Sequence, residues 1–382
     1  MADEASAFTI VDHLSLEGSL AMASQCEVVA GASGHDNCDG ATSFMPQLSY
    51  TPTRQDQIQL TFNFAVGNSL NDETPFAISP WAATLRDGII DINGSGRNYL
   101  MEAWYAHTFE LAEGNSLQLT GGILDSADYL DSNAYADDPL TKFMNAAFVN
   151  SYRTLLPSYD LGTALVWNLK DWTFSAVAMH VEELDVAKVD YFFYGLQLAY
   201  HFNTRLGSGN CRLVYNSIVS NSLNQGGEGL NHITRWVISF DHELGSAVGG
   251  FIRISGLRDN ALIIGSATGR YTAGLAIKGS LWRRQQDNIG IAFGYLYGPN
   301  LDATPDIMGG EQTDLASLAE ISNTPELARL INGHSQVFET YYRFAVNDSL
   351  AISADLQYMS DTNSTGSRVD GWVFGVRAVA DF

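Results

Sequence analysis

Charged and aromatic side chains recur in this sequence inside otherwise apolar runs, each on the parity opposite to the large apolar residues: Glu102 and Trp104, Arg212, Arg235, Arg253, Glu339, Arg343, Asp355 and Arg377. In a strand that parity is one face. Rows of guanidinium and carboxylate facing one another across water set up a transverse field that orders the water and passes polar neutral solutes, and an indole such as that of Trp104 can stack on a sugar ring. Pairing with one another to remove unpaired charge is the competing role for each. A second group lies in the connection 124–158, where Asp128, Asp131 and Asn133 offer acceptors and mixed donors suited to hydroxyl-rich solutes, or to tying the loop together.

Catalytic chemistry finds less support. His107 falls on the apolar parity with Tyr105 and Phe109, no serine and acid partner is identifiable beside it, and an interfacial aromatic girdle is the simpler reading. No catalytic residue, metal site or cofactor is expected. Cys26 and Cys38 flank Glu27 to Asn37, the expected loop between the first two strands, and predict a disulfide closing that loop in an oxidising compartment. Metal ligation would have only His35 nearby and no CxxC pair. Cys211 lies on an apolar parity and reads as an inert thiol.

The elements that must position these residues have a period of two. Apolar side chains fall at 372, 374, 376, 378, 380 and 382, ending on Phe382, a pattern that resembles the closing strand of an outer-membrane barrel and the signal read by the assembly machinery. Comparable runs are 14–22, 44–50, 58–66, 101–111, 117–123, 161–167, 172–178, 192–202, 211–217, 234–240, 248–254, 271–281, 289–297, 338–346 and 350–358. The fold class expected is therefore all-β: one transmembrane antiparallel barrel of about sixteen strands over residues 1–382. The chain is 46% apolar with a mean hydropathy of −0.05, and no window approaches the ~18 uninterrupted apolar residues of a spanning helix. No repeat of about 40 residues marks propeller blades.

Connections alternate in length. Residues 53–56, 112–115, 168–171, 204–209, 243–246, 284–288 and 347–349 read as tight periplasmic turns. Residues 67–97, 124–158, 182–190, 218–230, 257–268, 298–335 and 360–370 read as long connections that lie outside or fold into the lumen, with 124–158 the candidate constriction. There Asp138 and Pro139 predict the start of a short helix whose Leu140, Phe143, Met144, Ala147 and Phe148 pack on the wall. Met1-Ala-Asp-Glu has no charged and apolar leader pattern, so the chain is read as a mature sequence. The 20 basic and 43 acidic residues give −23, which argues against nucleic acid as a partner and suits a solvated outer surface with divalent bridging to lipopolysaccharide.

Gly122-Ile-Leu-Asp-Ser-Ala-Asp-Tyr-Leu-Asp-Ser-Asn133, then Lys142 to Asn150 and Pro157, resemble the signature of the carbohydrate-selective porin family, OprB type, as do Glu339 to Tyr358 and Val376 to Phe382. The resemblance implies a sixteen-stranded channel for passive sugar uptake in the bacterial outer membrane. Ala354 departs from the proline common before the aspartate of the penultimate strand. A pore for organic anions or general ions is the alternative, a barrel enzyme a weaker one, and a homotrimer is an expectation by analogy with other barrels.

Overall fold

The structure, a computed structural model, describes residues 8–30, 36–90, 92, 97–150, 156–183, 189–220, 231–259, 268–299, 332–363 and 368–382. Its strands are β1 (Phe8–Val11), β2 (Leu14–Ala30), β3 (Asn37–Tyr50), β4 (Asp56–Phe62), β5 (Phe64–Val66), β6 (Leu100–Ala112), β7 (Asn115–Leu124), β8 (Asp160–Leu169) and β9 (Trp172–Glu183). They continue as β10 (Val189–Asn203), β11 (Ser208–Ser220), β12 (Asn231–Glu243), β13 (Val248–Asp259), β14 (Thr268–Lys278), β15 (Asn288–Pro299), β16 (Asn332–Ala345), β17 (Leu350–Asn363) and β18 (Arg368–Asp381).

Neighbours in sequence pair antiparallel, and β18 pairs with β2 from Asp370↔Ala30 to Asp381↔Ser19, which closes the sheet. β4 and β5 both pair with β3 and form one stave interrupted at Asn63, whose side chain turns inward to Thr84 O (2.9 Å) and Ser43 Oγ (2.7 Å). β1 covers only the foot of β2. The barrel therefore has sixteen staves, as the run count predicted. Gly18 and Phe382 exchange both backbone hydrogen bonds at 3.0 Å, and the Phe382 ring stacks on Phe44.

Burial follows the alternation, inverted relative to a water-soluble protein. Phe192, Leu196 and Phe374 face outward and are exposed, whereas Gln25, Glu27, Gln357 and Arg377 face inward and are buried. A bilayer around the barrel accounts for this, because every backbone group is paired within the closed sheet and only side chains meet lipid. Aromatic rings gather at both rims: Trp172 on Tyr200 and Phe202 on Phe240 near the tight turns, Tyr358 on Trp372 and Tyr271 on Tyr297 near the long connections. Among the described residues no helix is long and apolar enough to cross a membrane.

Among the described residues, two connections fold against the wall inside the barrel. Trp81, Ile78 and Leu70 of the connection 67–97 and Phe143, Met144 and Phe148 of 124–158 are all buried. The two loops bond to each other: Ala82 N to Met144 O (2.8 Å), Ala146 N to Ser79 O (3.1 Å) and Trp81 Nε1 to Pro139 O (3.1 Å).

Two expectations are corrected. The helix expected after Asp138 is only one turn: Asp138 caps Leu140 N at 2.8 Å, but the amides of Met144 and Asn145 donate to the Glu339 carboxylate, so tertiary partners end the helix. The disulfide Cys26–Cys38 forms, but not as a loop closure; the two cysteines are register partners within β2 and β3, which continue beyond them to Ala30 and Asn37. Most of 298–335, including the helical-looking 325–331, falls outside the described residues, as do 184–188, 221–230, 260–267 and 364–367 of other long connections.

Candidate functional site

The inward face from β10 round to β2 is largely taken up by the two loops, and most of the predicted charged residues lie there as braces. Arg253 donates from Nε to Asp131 Oδ1 (3.1 Å), from Nη2 to Asp131 O (3.0 Å) and from Nη1 to Phe148 O (2.9 Å). Arg377 holds Pro139 O (2.6 Å) and Lys142 O (2.9 Å). Glu339 accepts from Met144 N (2.5 Å) and Asn145 N (3.0 Å). Beside it, Asp355 Oδ1 accepts from Gln357 Nε2 (2.9 Å), which also reaches Pro80 O (2.9 Å). A loop folded into a barrel buries carbonyls and amides that water cannot reach, and charged side chains on the wall supply the missing partners. Asn133 donates to Ser239 Oγ (3.1 Å), Arg212 pairs with Asp241, and Arg235 is buried in the wall. Arg343 sits near the tight turns, where it donates to Gln286 O (3.4 Å).

The wall of β3, β4, β6 and β7 is different in kind. Its inward face carries neutral amides and hydroxyls paired across strands: Gln47 Nε2 with Thr61 Oγ1 (3.3 Å), Gln57 Nε2 with Ser49 Oγ (3.2 Å) and Gln118 Nε2 with Thr108 Oγ1 (3.4 Å). At the tight-turn end this face opens into a cavity of about 400 Å³ lined by Gln57, Thr108 and Gln118 together with His13 and Arg54.

Farther up the same wall stand Gln59 and Thr61 of β4 opposite Trp104 and Glu102 of β6. Thr61 Oγ1 donates to Glu102 Oε2 at 2.8 Å. Gln59 Nε2 and Trp104 Nε1 are buried with no hydrogen-bond partner among the described residues, and Glu102 also shares a side-chain hydrogen bond with Asp128. Gly122 of β7 is the register partner of Trp104 and adopts φ +145°; a Cβ there would lie 2.7 Å from Trp104 Cα and 2.3 Å from Ala103 O.

The base of the constriction loop brings two more carboxyl groups to Glu102. Asp125 caps the short turn Ser126–Asp128 by accepting from Ala127 N at 2.8 Å, and Ser126 pins that turn to Pro157 O through both N (3.1 Å) and Oγ (2.7 Å). Burial, reinforced by the charge of Glu102, pushes Asp125 up to about 7. Burial, the charges of Asp125 and Glu102, and a side-chain hydrogen bond to Glu102 raise Asp128 as well, although the residue keeps an exposed surface.

Sequence reasoning missed the inward loop 67–97 as a partner of the constriction and missed the amide lane. The apolar Leu70, Phe76, Ile78, Trp81 and Leu85 without strand alternation, and Gln47, Gln57, Gln59 and Gln118 on inward parities, were the available signals. It also found no acid beside His107, whose Nδ1 lies 2.7 Å from Asp56 Oδ1. Asp56 also accepts from Tyr105 OH (2.6 Å), and His107 packs edge-on against Phe109, which places the group in the outer aromatic rim.

The closed sixteen-stave barrel with short turns at one end and inward loops is a porin-type β-barrel fold. Residues 236–382 match the family model described as carbohydrate-selective porin, OprB family. The match includes the closing segment 339–382 and stops short of 122–150. An uncharacterized protein of Aquifex aeolicus is 34% identical over 116 residues, 30% of this chain, and the match spans 36% of that relative's length. Among solved structures, Pseudomonas putida OprB in a high-pH form superposes with a TM-score of 0.69 at 14% identity, covering 97% of this chain and 94% of that one. The outer-membrane channel DcaP of Acinetobacter baumannii gives 0.55 at 10% identity, covering 97% of both chains. An anion-selective porin of Comamonas acidovorans gives 0.53 at 10% identity, covering 97% and 99%.

Proposed function

We propose that the protein is a passive diffusion channel for small neutral hydrophilic solutes, sugars foremost. The observation that carries this reading is the amide and hydroxyl lane of Gln47, Gln57, Gln118, Ser49, Thr61 and Thr108. Such side chains exchange hydrogen bonds with a polyol one for one and hold no charge for it to desolvate. Glu102, Trp104 and Asp128 border the same path, whereas Asp131, Asn133, Arg253, Glu339, Asp355 and Arg377 shape it by fixing the loops. The alternative of an organic-anion channel rests on inward arginines, and Arg253 and Arg377 have both Nη groups bonded to loop carbonyls.

Conductance of the refolded protein in planar bilayers tests this. Saturable block by glucose or maltose with weak response to organic anions is the expected result; block by anions alone would move the assignment to the arginines. Insertion through Phe382 by the assembly machinery, contact of the acidic outer surface with lipopolysaccharide through divalent ions, and a trimeric state belong to the same proposal.

A further inference from the structure

We infer that Glu102, Asp125 and Asp128 form a station for the ammonium group of an amine-bearing sugar, so that the channel favours amino sugars over neutral hexoses. The inference rests on the sugar-channel reading and names the solute class.

Three carboxyl groups come to one place from two elements: Glu102 from β6, and Asp125 and Asp128 from the turn at the base of the constriction loop that Ser126 pins to Pro157. Glu102 is 6% exposed; Thr61 donates to its Oε2, and its other side-chain neighbour is a second acid, Asp128, with which it shares a hydrogen bond. Buried carboxyl groups held together without a cation are costly to ionise, and a solute that brings a charged N–H offsets that cost. Asp128 keeps an exposed surface, so an ammonium can reach it from water.

The neighbouring orphans are donors. Gln59 Nε2 and Trp104 Nε1 belong to register partners directly beside the Glu102–Thr61 pair, and neither has a hydrogen-bond partner among the described residues. Carboxylates that accept from an amine, next to two N–H groups that donate to hydroxyls, are the complement of a ring bearing –NH3+ and –OH on adjacent carbons. The charge balance agrees. Arg253 and Arg377 are held by loop carbonyls, Arg212 is paired with Asp241, and Arg97 donates to the backbone oxygen of Tyr159.

The test is single-channel block of the full chain in planar bilayers by glucosamine, glucose, N-acetylglucosamine and Mg2+ at pH 7, where Asp125 is about half ionised and the glucosamine amine is still largely protonated. Glucosamine is expected to half-block at a concentration about tenfold lower than glucose, as one added charge-assisted hydrogen bond implies. N-acetylglucosamine, which has lost the charge, should fall with glucose. In Glu102→Gln and Asp128→Asn the ratio of the two half-block concentrations should collapse toward one. Heat-modifiable migration of both variants on electrophoresis shows that the barrels have folded.

Equal block by glucosamine and glucose in the unsubstituted protein overturns the station while leaving the sugar channel standing. Block by glucosamine without any by glucose supports the station and removes the neutral-sugar reading. Block by Mg2+ with none by glucosamine overturns the station in favour of a plain cation site.

Discussion

Arg253 and Asp131 meet inside the barrel, 1% and 0% exposed, with Nε 3.1 Å from Oδ1 and a second bond from Nη2 to the Asp131 carbonyl. Asp131 in turn donates from its amide to Gln197 Oε1 at 2.9 Å, so the loop is gripped from β13 and β10 together. Removing one partner of a buried ion pair strands the other charge and costs about 3–5 kcal/mol. Asp131→Ala should therefore lower the unfolding temperature of the detergent-folded protein by far more than Asp137→Ala, whose Lys142 partner is partly exposed, and should make single-channel current noisier. Equal melting of the two variants would show that the grip is not a fixed point of the loop.

Gly122 is predicted to tolerate no side chain. Its φ of +145° and the 2.3 Å from a built Cβ to Ala103 O leave a valine no position without moving β6. Gly122→Val should give little heat-modifiable folded barrel on electrophoresis, whereas Gly121→Ala, with open space at its Cβ, should fold normally.

Reduction of Cys26–Cys38 should matter only modestly. The bridge spans a sequence separation of 12, for which loss of chain constraint is worth about 3 kcal/mol at most. The β2–β3 ladder already holds these partners in register, so conductance of the reduced barrel should equal that of the oxidised one while its unfolding midpoint in denaturant falls. Cys26 and Cys38 share the outward parity of the exposed Met22, Val28 and Phe44, and a conductance change on reduction would contradict that placement.

Ion selectivity should depend on pH through Asp125. A carboxyl pushed up to about 7 is protonated and neutral below that pH and becomes a negative charge above it. The cation-to-anion permeability ratio, read from reversal potentials under a salt gradient, should rise between about pH 6 and 8. Asp125→Asn should flatten that rise.

Parity was readable in the sequence because lipid on one side and water on the other impose a period of two on every stave, and the side of Glu102, Arg253 and Arg377 follows from it. What they touch was not readable. Glu339 meets the amides of Met144 and Asn145 across 195 and 194 positions of sequence, and no local pattern encodes that meeting. The cysteines were assigned to a loop because the alternation read from the sequence stops at Met22 and resumes at Phe44. β2, with 17 residues, outruns the 9–11 or so that span a bilayer, so its last residues stand in water and lose the apolar signature while keeping the ladder.

The hydrogen bonds from Ala82 to Met144 and from Ala146 to Ser79 make two distant stretches of chain a single cooperative unit. Neither can leave the wall without breaking the other's backbone pairing. The amides of Ala82, Met144, Asn145 and Ala146 should accordingly exchange with deuterium at one shared opening free energy, well above that of an independent surface loop.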